Sequence, residues 1–279
     1  MNYHNGFLNN DKGVSLFYQS WISPDPRATI IIIHGVGEHS GRYKEFAQYL
    51  VDNNISVCTF DLKGYGRSGG KKGHIDSFVD FTSDVKLFID FVKNKFVNNK
   101  KLFLLGHSLG ALIAIKYLHF YHDHPITGVI LSGPPFSLNI SVSAWLRRAC
   151  VLFSSILPAM TIKEKSIQLN MLTHDKEKLE EFRRDPARHY VRSLQFIREY
   201  FKAEKETFNA AQYLSIPLLI IQGGDDDVID VNKVKDFYHN LYVGDKMLIV
   251  YPDMYHEVLN EIDRSRVYSD VKYWLEQRS

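Results

Sequence analysis

Lys101-Leu102-Phe103-Leu104-Leu105 runs directly into Gly106-His107-Ser108-Leu109-Gly110, and a helical pattern follows from Ala111 to Tyr121. The first five residues read as a strand buried on both faces. The pentapeptide fits G-x-S-x-G, and strand, turn and helix stand in the register that gives this motif its meaning. A serine on so sharp a turn is pushed out at the carboxyl end of a sheet, while glycines on either side let the backbone close up. The helix opening there favours negative charge developing beside it. Ser108 is therefore the candidate nucleophile. Outward from it, apolar, largely β-branched runs of the same kind occur at Ala28–Ile33, Ser56–Phe60, Gly128–Leu131, Pro217–Ile221 and Met247–Tyr251. Helical spacing separates several of them: Val85, Phe88, Ile89, Val92 and Phe96 recur every three or four residues, and Val231–Leu241 and Arg264–Arg278 read similarly. Such alternation predicts an α/β fold with a doubly wound, mostly parallel sheet. Gly13–Trp21 reads as an antiparallel edge hairpin partner.

The rhythm breaks between Phe136 and Leu214, where the sequence is helical and charged with no strand pattern. The expected organisation is a core in two parts, 1–135 and 215–279, with 136–214 inserted as a helical cap or lid. In the insertion Val142, Trp145, Leu146, Ala149, Leu152, Phe153 and Ile156 keep helical spacing on one broad apolar face. Such a face either packs onto the sheet or belongs to a lid that lines an acyl pocket or touches a lipid surface. Trp145, Phe153, Ile156 and Met160 are the candidate substrate contacts.

Composition narrows the function classes. At 279 residues the chain suits one large α/β unit, and 45% hydrophobic against 24% charged residues excludes wholesale disorder. Lys and Arg (34) exceed Asp and Glu (32) by only two, with no basic block, which argues against a nucleic-acid partner. Cys58 and Cys150 are too few for a disulfide framework. The start, Met1-Asn2-Tyr3-His4-Asn5-Gly6, lacks a signal-peptide layout and no run is long enough to span a bilayer, so a cytoplasmic location is expected.

A serine hydroxyl needs a base and an orienting carboxylate, expected downstream in the order Ser, Asp, His. Of twelve histidines, His174 and His189 fall in the insertion and His239 within a helix; His256 follows the last strand in Pro252-Asp253-Met254-Tyr255-His256-Glu257 and is the candidate base. Tyr255 or Glu257 would shape that loop without being catalytic. The carboxylate belongs after the preceding strand, where Asp225, Asp226 and Asp227 stand together; spacing favours Asp226, and its neighbours remain alternatives. The oxyanion hole needs two backbone N–H groups, for which Leu109 and, in the loop His34-Gly35-Val36-Gly37, Val36 are the candidates.

With these residues placed, the chain resembles the α/β-hydrolase superfamily over nearly its whole length. More narrowly, it resembles the monoacylglycerol lipase and lysophospholipase group of serine hydrolases. The resemblance is carried by His34-Gly35-Val36-Gly37-Glu38-His39-Ser40-Gly41-Arg42-Tyr43, by Asp61-Leu62-Lys63-Gly64-Tyr65-Gly66-Arg67-Ser68-Gly69, by Gly106–Gly110 and by Tyr255-His256-Glu257-Val258-Leu259-Asn260-Glu261. It implies a helical cap between the sixth and seventh strands. It also places the acidic triad member on Asp226, three residues after Gly223, and gives Val36 and Leu109 as oxyanion donors. Across 136–214 the match is confined to Asp185-Pro186 and the run into Pro217, so acyl-length and head-group preferences do not carry over.

Two motifs point elsewhere and are set aside. Gly64-Tyr65-Gly66-Arg67-Ser68-Gly69 satisfies G-x-G-x-x-G, but no helix opens behind it, so it reads as a turn and no dinucleotide cofactor is expected. His119, His122 and His124 sit at a helix end without an evident fourth ligand, and no metal is expected. The expectation is a cofactor-free serine hydrolase cleaving carboxylic esters, monoacylglycerols or lysophospholipids first among them, by way of an acyl-enzyme. Alternatives are acyl transfer, a general carboxylesterase, or a hydrolase fold that only binds a ligand. The expected partners are a small acyl-ester or lipid substrate and, through the cap, a membrane surface.

Overall fold

The computed structural model describes residues 1–97, 100–138, 150–163 and 167–279. Its first strands are β1 (Asn2–Asn9), β2 (Ser15–Ile22), β3 (Ala28–Ile33), β4 (Ile55–Phe60), β5 (Lys101–His107) and β6 (Ile126–Ser132). Two short strands, β7 (Thr161–Lys163) and β8 (Val191–Ser193), pair antiparallel apart from the main sheet. With β9 (Leu218–Gly223) and β10 (Lys246–Tyr251), the main sheet has eight strands in the order β1-β2-β4-β3-β5-β6-β9-β10. β1 and β2 are antiparallel to their neighbours, and every pairing from β4 to β10 is parallel. The expected fold class is found.

The central strands are apolar on both faces because both faces are covered. Ile30 and Ile32 of β3 join a core with α1 (Lys44–Asp52), whereas Ile31 and Ile33 join the opposite core with α2 (Phe78–Phe96) and α3 (Leu109–Phe120). Burying one Ile or Phe side chain contributes about 1.5–3 kcal/mol, so each isoleucine of β3 binds one helical layer to the sheet. Between β6 and β9 the chain forms a helical stretch at residues 150–154, then α4 (Lys176–Arg184) and α5 (Leu194–Asn209). After β9 come α6 (Val231–His239) and, last, α7 (Arg264–Glu276), which packs beside α1 with Val267, Val271 and Trp274 buried. Among the described residues, no helix is long and apolar enough to cross a membrane.

Three features differ from the sequence reading. Gly13–Trp21 is the expected antiparallel member of an edge hairpin, as β2, but its outer partner β1 went unread. β1 is mostly exposed, so it carries no apolar run; its attachment comes from alternate aromatic pairs, Tyr3 on Trp21 (5.5 Å) and Phe7 on Phe17 (5.4 Å). The region 136–214 does contain strands, β7 and β8, whose three residues each are too short to show a period. α1 went unread, although Phe46, Ala47, Leu50 and Val51 mark its buried face at helical spacing.

Candidate active site

The loops leaving the carboxyl ends of β3, β5, β9 and β10 converge, as open parallel sheets require of a site. Ser108 sits between β5 and α3 at φ +50°, ψ −116°. A non-glycine residue in that region costs about 1–3 kcal/mol, and the surroundings impose it. The Ser108 N–H donates to Ser132 O (2.8 Å) and its carbonyl accepts from Ala111 N (2.8 Å), fixing the turn from both sides. The flanking glycines are required by close approach: a Cβ on Gly106 would overlap the Gly110 carbonyl, and one on Gly110 would overlap that of Ile33.

The three adjacent aspartates are sorted by burial. Asp225 and Asp227 are exposed, whereas Asp226 is 5% exposed and accepts at both oxygens. Oδ1 takes the N–H groups of Val228 (2.8 Å) and Ile229 (2.9 Å); Oδ2 takes Gln222 Nε2 (2.8 Å) and lies 2.8 Å from His256 Nδ1. Acceptance by a carboxylate puts a proton on Nδ1 and leaves Nε2 as the basic nitrogen. Burial alone would lower the His256 pKa, but the Asp226 charge and hydrogen bond outweigh it and raise it above 6.5. Burial likewise works to raise the Asp226 pKa, and His256 reverses that, holding it below 3.8. A base with this environment is protonated, and silent, to a higher pH than a free imidazole. The acid limb of kcat/KM for a neutral ester is therefore expected to have its midpoint above pH 6.5. A midpoint below the free-imidazole value would contradict the pairing.

Ser108, His256, Gly35 and Val36 line one cavity of about 30 Å³, enclosed from the insertion side by Ile167, Leu172, Arg188, Tyr190 and Arg192. That volume is water-sized. In the β3 loop, the Gly35 N–H donates to Glu38 Oε1, and Val36, the next residue, lines the cavity with Ser108. His34 holds the loop from beneath: Nε2 accepts Leu62 N (2.9 Å), so Nδ1 carries the proton and donates to Gly35 O (2.7 Å). Leu109 opens α3, so its N–H belongs to the first turn, which lacks intrahelical acceptors.

The other histidines are occupied or remote. His174 stacks on Tyr255 (3.7 Å) and meets Glu261 (3.0 Å), His189 bonds Gly64 O (2.9 Å), and His239 is exposed on α6. The structure does not bring the candidate substrate contacts to the serine. Phe153, Ile156 and Met160 are 56%, 73% and 51% exposed and do not line the cavity, and Trp145 lies outside the described residues. Gly64–Gly69 is a turn wrapped around Asp61, whose Oδ1 accepts from Ser40 N (2.8 Å) and Oδ2 from Arg67 N (2.7 Å).

Sequence reasoning missed the brace behind the site. The Arg42 side chain, 5% exposed, donates to Glu38 Oε2 (2.7 Å) and with both terminal nitrogens to Glu257, while its guanidinium lies 3.5 Å from the Phe182 ring centroid. Glu38 also accepts from Tyr43 (3.0 Å), and Glu257 from Asn260 (2.9 Å). One cation thus ties the β3 loop to the histidine loop and to α4. Burial works to raise the Glu38 pKa, but Arg42, His107 and His34 hold it down at about 2. Replacing Arg42 by Met leaves two buried carboxylates unmatched, and loss of one partner of a buried ion pair costs about 3–5 kcal/mol. Urea unfolding at neutral pH measures this; a loss below about 1 kcal/mol would mean the brace is no stronger than a surface pair. The sequence signal was present, since Glu38 and Arg42 stand four residues apart on a loop of otherwise small and aromatic residues.

The chain is similar to known proteins over most of its length. The model of the family described as serine aminopeptidase, S33, matches residues 24–263. The phospholipase YtpA of Bacillus subtilis is 31% identical over 261 residues, covering 92% of this chain and 98% of that protein. A monoacylglycerol lipase of Mycolicibacterium smegmatis is 29% identical, covering 94% of this chain and 93% of the relative. Among solved structures, a soluble variant of monoglyceride lipase from Saccharomyces cerevisiae in complex with a substrate analog superposes with a TM-score of 0.86 at 26% identity, covering 98% of this chain and 95% of the other.

Proposed function

The chain belongs to the serine aminopeptidase S33 family, and from that premise we propose that it is a serine hydrolase cleaving carboxylic esters of lipids, with Ser108, His256 and Asp226 as its triad. The substrates are monoacylglycerols or lysophospholipids; the relatives are named a monoacylglycerol lipase and a phospholipase, which supports a glycerolipid ester. The observation that carries the reading is the buried Asp226–His256 pair opening on the same cavity as a serine held at positive φ. His256 Nε2 takes the Ser108 proton as Oγ attacks the ester carbonyl, and the Val36 and Leu109 N–H groups hold the oxyanion. Collapse expels the alcohol, which receives its proton from His256. Water, deprotonated by the same nitrogen, then attacks the acyl-serine and releases the fatty acid.

Residues 136–214 act as the cap over this chemistry. Val151, Leu152, Phe153, Ile156, Leu157 and Met160 are exposed on it, and Ile167, Leu172, Arg188, Tyr190 and Arg192 line the cavity. This placement supports contact between the cap and a lipid surface, from which substrate enters.

The test is fatty-acid release from monoacylglycerols, lysophospholipids and p-nitrophenyl esters graded by chain length, beside an aminoacyl p-nitroanilide. Turnover of the lipid esters with stoichiometric fluorophosphonate labelling of Ser108 is expected. Cleavage of the anilide alone would overturn the ester reading.

A further inference from the structure

We propose that Glu38 is a positioning residue for the hydrolysis, holding Gly35 so that the next main-chain N–H, that of Val36, is aimed at the oxyanion formed on Ser108. The proposal rests on the hydrolase reading above and adds to it the group that sets its oxyanion hole. Gly35 packs directly on the nucleophile. A Cβ at Gly35 would stand 2.7 Å from Glu38 Oε1, 3.1 Å from His107 Cδ2 and 3.3 Å from Ser108 Cβ, so a side chain there would displace Glu38. The position suits glycine, whose backbone also turns most freely. An oxyanion donor has to be aimed before charge develops, because its benefit lies in needing no reorganisation during the reaction. The direction of the Val36 N–H therefore depends on what holds the two peptide groups of Gly35.

Both groups are pinned. The Gly35 N–H donates to Glu38 Oε1, and the Gly35 carbonyl accepts from His34 Nδ1 (2.7 Å). That carbonyl shares a planar trans peptide with the Val36 N–H, so the two point in opposite directions. With the planes on either side of Gly35 fixed, the Val36 N–H is fixed as well. Glu38 is itself immobilised, since Oε1 also takes the Tyr43 hydroxyl (3.0 Å) and Oε2 takes Arg42 (2.7 Å). Its side chain is 4% exposed, which keeps water from competing for the carboxylate. Burial works against its charge, but Arg42, His107 and His34 hold its pKa at about 2. The carboxylate thus accepts from Gly35 at every pH at which His256 can act as a base.

The experiment follows p-nitrophenyl butyrate hydrolysis by the wild-type protein, Glu38→Ala and Glu38→Gln, each well below its melting temperature. Glutamine keeps an oxygen that can accept from Gly35 N but loses the charge that matches Arg42; alanine loses both. In Glu38→Ala kcat should fall about 10²-fold with KM within about twofold, the signature of a donor misaimed only for the transition state. The inhibition constant of a trifluoromethyl ketone, whose serine adduct carries an alkoxide, should rise by a similar factor. Glu38→Gln should recover most of the lost kcat while still melting below the wild type, which divides the acceptor role from the ion pair. A folded Glu38→Ala with wild-type kcat, or a loss of kcat that glutamine does not recover, overturns the proposal. A second measurement needs no variant. In the wild-type protein the Gly35 amide proton should resonate far downfield, as donation to a carboxylate requires, and an ordinary amide shift would overturn the contact on which the proposal stands. Absence of wild-type turnover would instead sink the hydrolase reading, which separates the two failures.

Discussion

Ser108→Ala is expected to lower kcat for p-nitrophenyl butyrate by about 10⁶, the scale on which loss of a triad nucleophile acts in serine hydrolases. The substitution removes one oxygen and leaves the hydrogen bonds that shape the turn, because Ser108 N to Ser132 O and Ala111 N to Ser108 O are main-chain contacts. Alanine must adopt the same positive φ as serine, so the backbone strain is common to both. The melting temperature should therefore move by only a few degrees, a shift of about 1 kcal/mol or less for a chain of this size. Fluorophosphonate labelling should disappear with the activity. A variant that melts normally and keeps wild-type turnover would show that another group is the nucleophile, and no rearrangement of the cap could rescue the proposed chemistry.

The parts of this molecule that were legible in sequence are those where one local pattern has one structural solution. β5, its glycine turn and α3 could be read because a double-sided apolar strand followed by G-x-S-x-G leaves little else. β3, β4 and β9 could be read for the same reason, being buried on every residue. β1 could not, since an edge strand needs no apolar run when alternate aromatics attach it. At the candidate site, chain order singled out the proposed hydroxyl and base, whereas Arg42 was invisible. It acts through a partner distant in sequence, Glu257, 215 residues away. The apolar insertion residues show the converse error. Phe153, Ile156 and Met160 have the composition of an acyl pocket, but composition does not distinguish an inner face from an outer one, and theirs is exposed.

Asp226→Asn carries the second large effect, an expected loss of about 10⁴ in kcat with the fold retained, by analogy with removal of the triad carboxylate elsewhere. Asparagine keeps the shape and can still accept from Val228 N and Ile229 N, but its amide nitrogen would face the protonated His256 Nδ1. To avoid that clash of donors, the imidazole proton moves to Nε2, where it blocks acceptance of the Ser108 proton. The charge effect has a separate readout. Asp226 raises the His256 pKa against burial; without it, burial dominates and the pKa should fall below its wild-type value, as an NMR titration of the imidazole would record. Stability should change in the matching sense. The depressed Asp226 pKa contributes stability that is present above pH 3.8 and lost as pH falls through the native value, and the variant lacks this dependence. Asp225→Asn and Asp227→Asn alter exposed side chains and should leave kcat within about twofold, as surface substitutions generally do. If either neighbour instead produced the large loss and the tautomer shift, the carboxylate of the triad would have to be reassigned despite the 2.8 Å contact at Asp226.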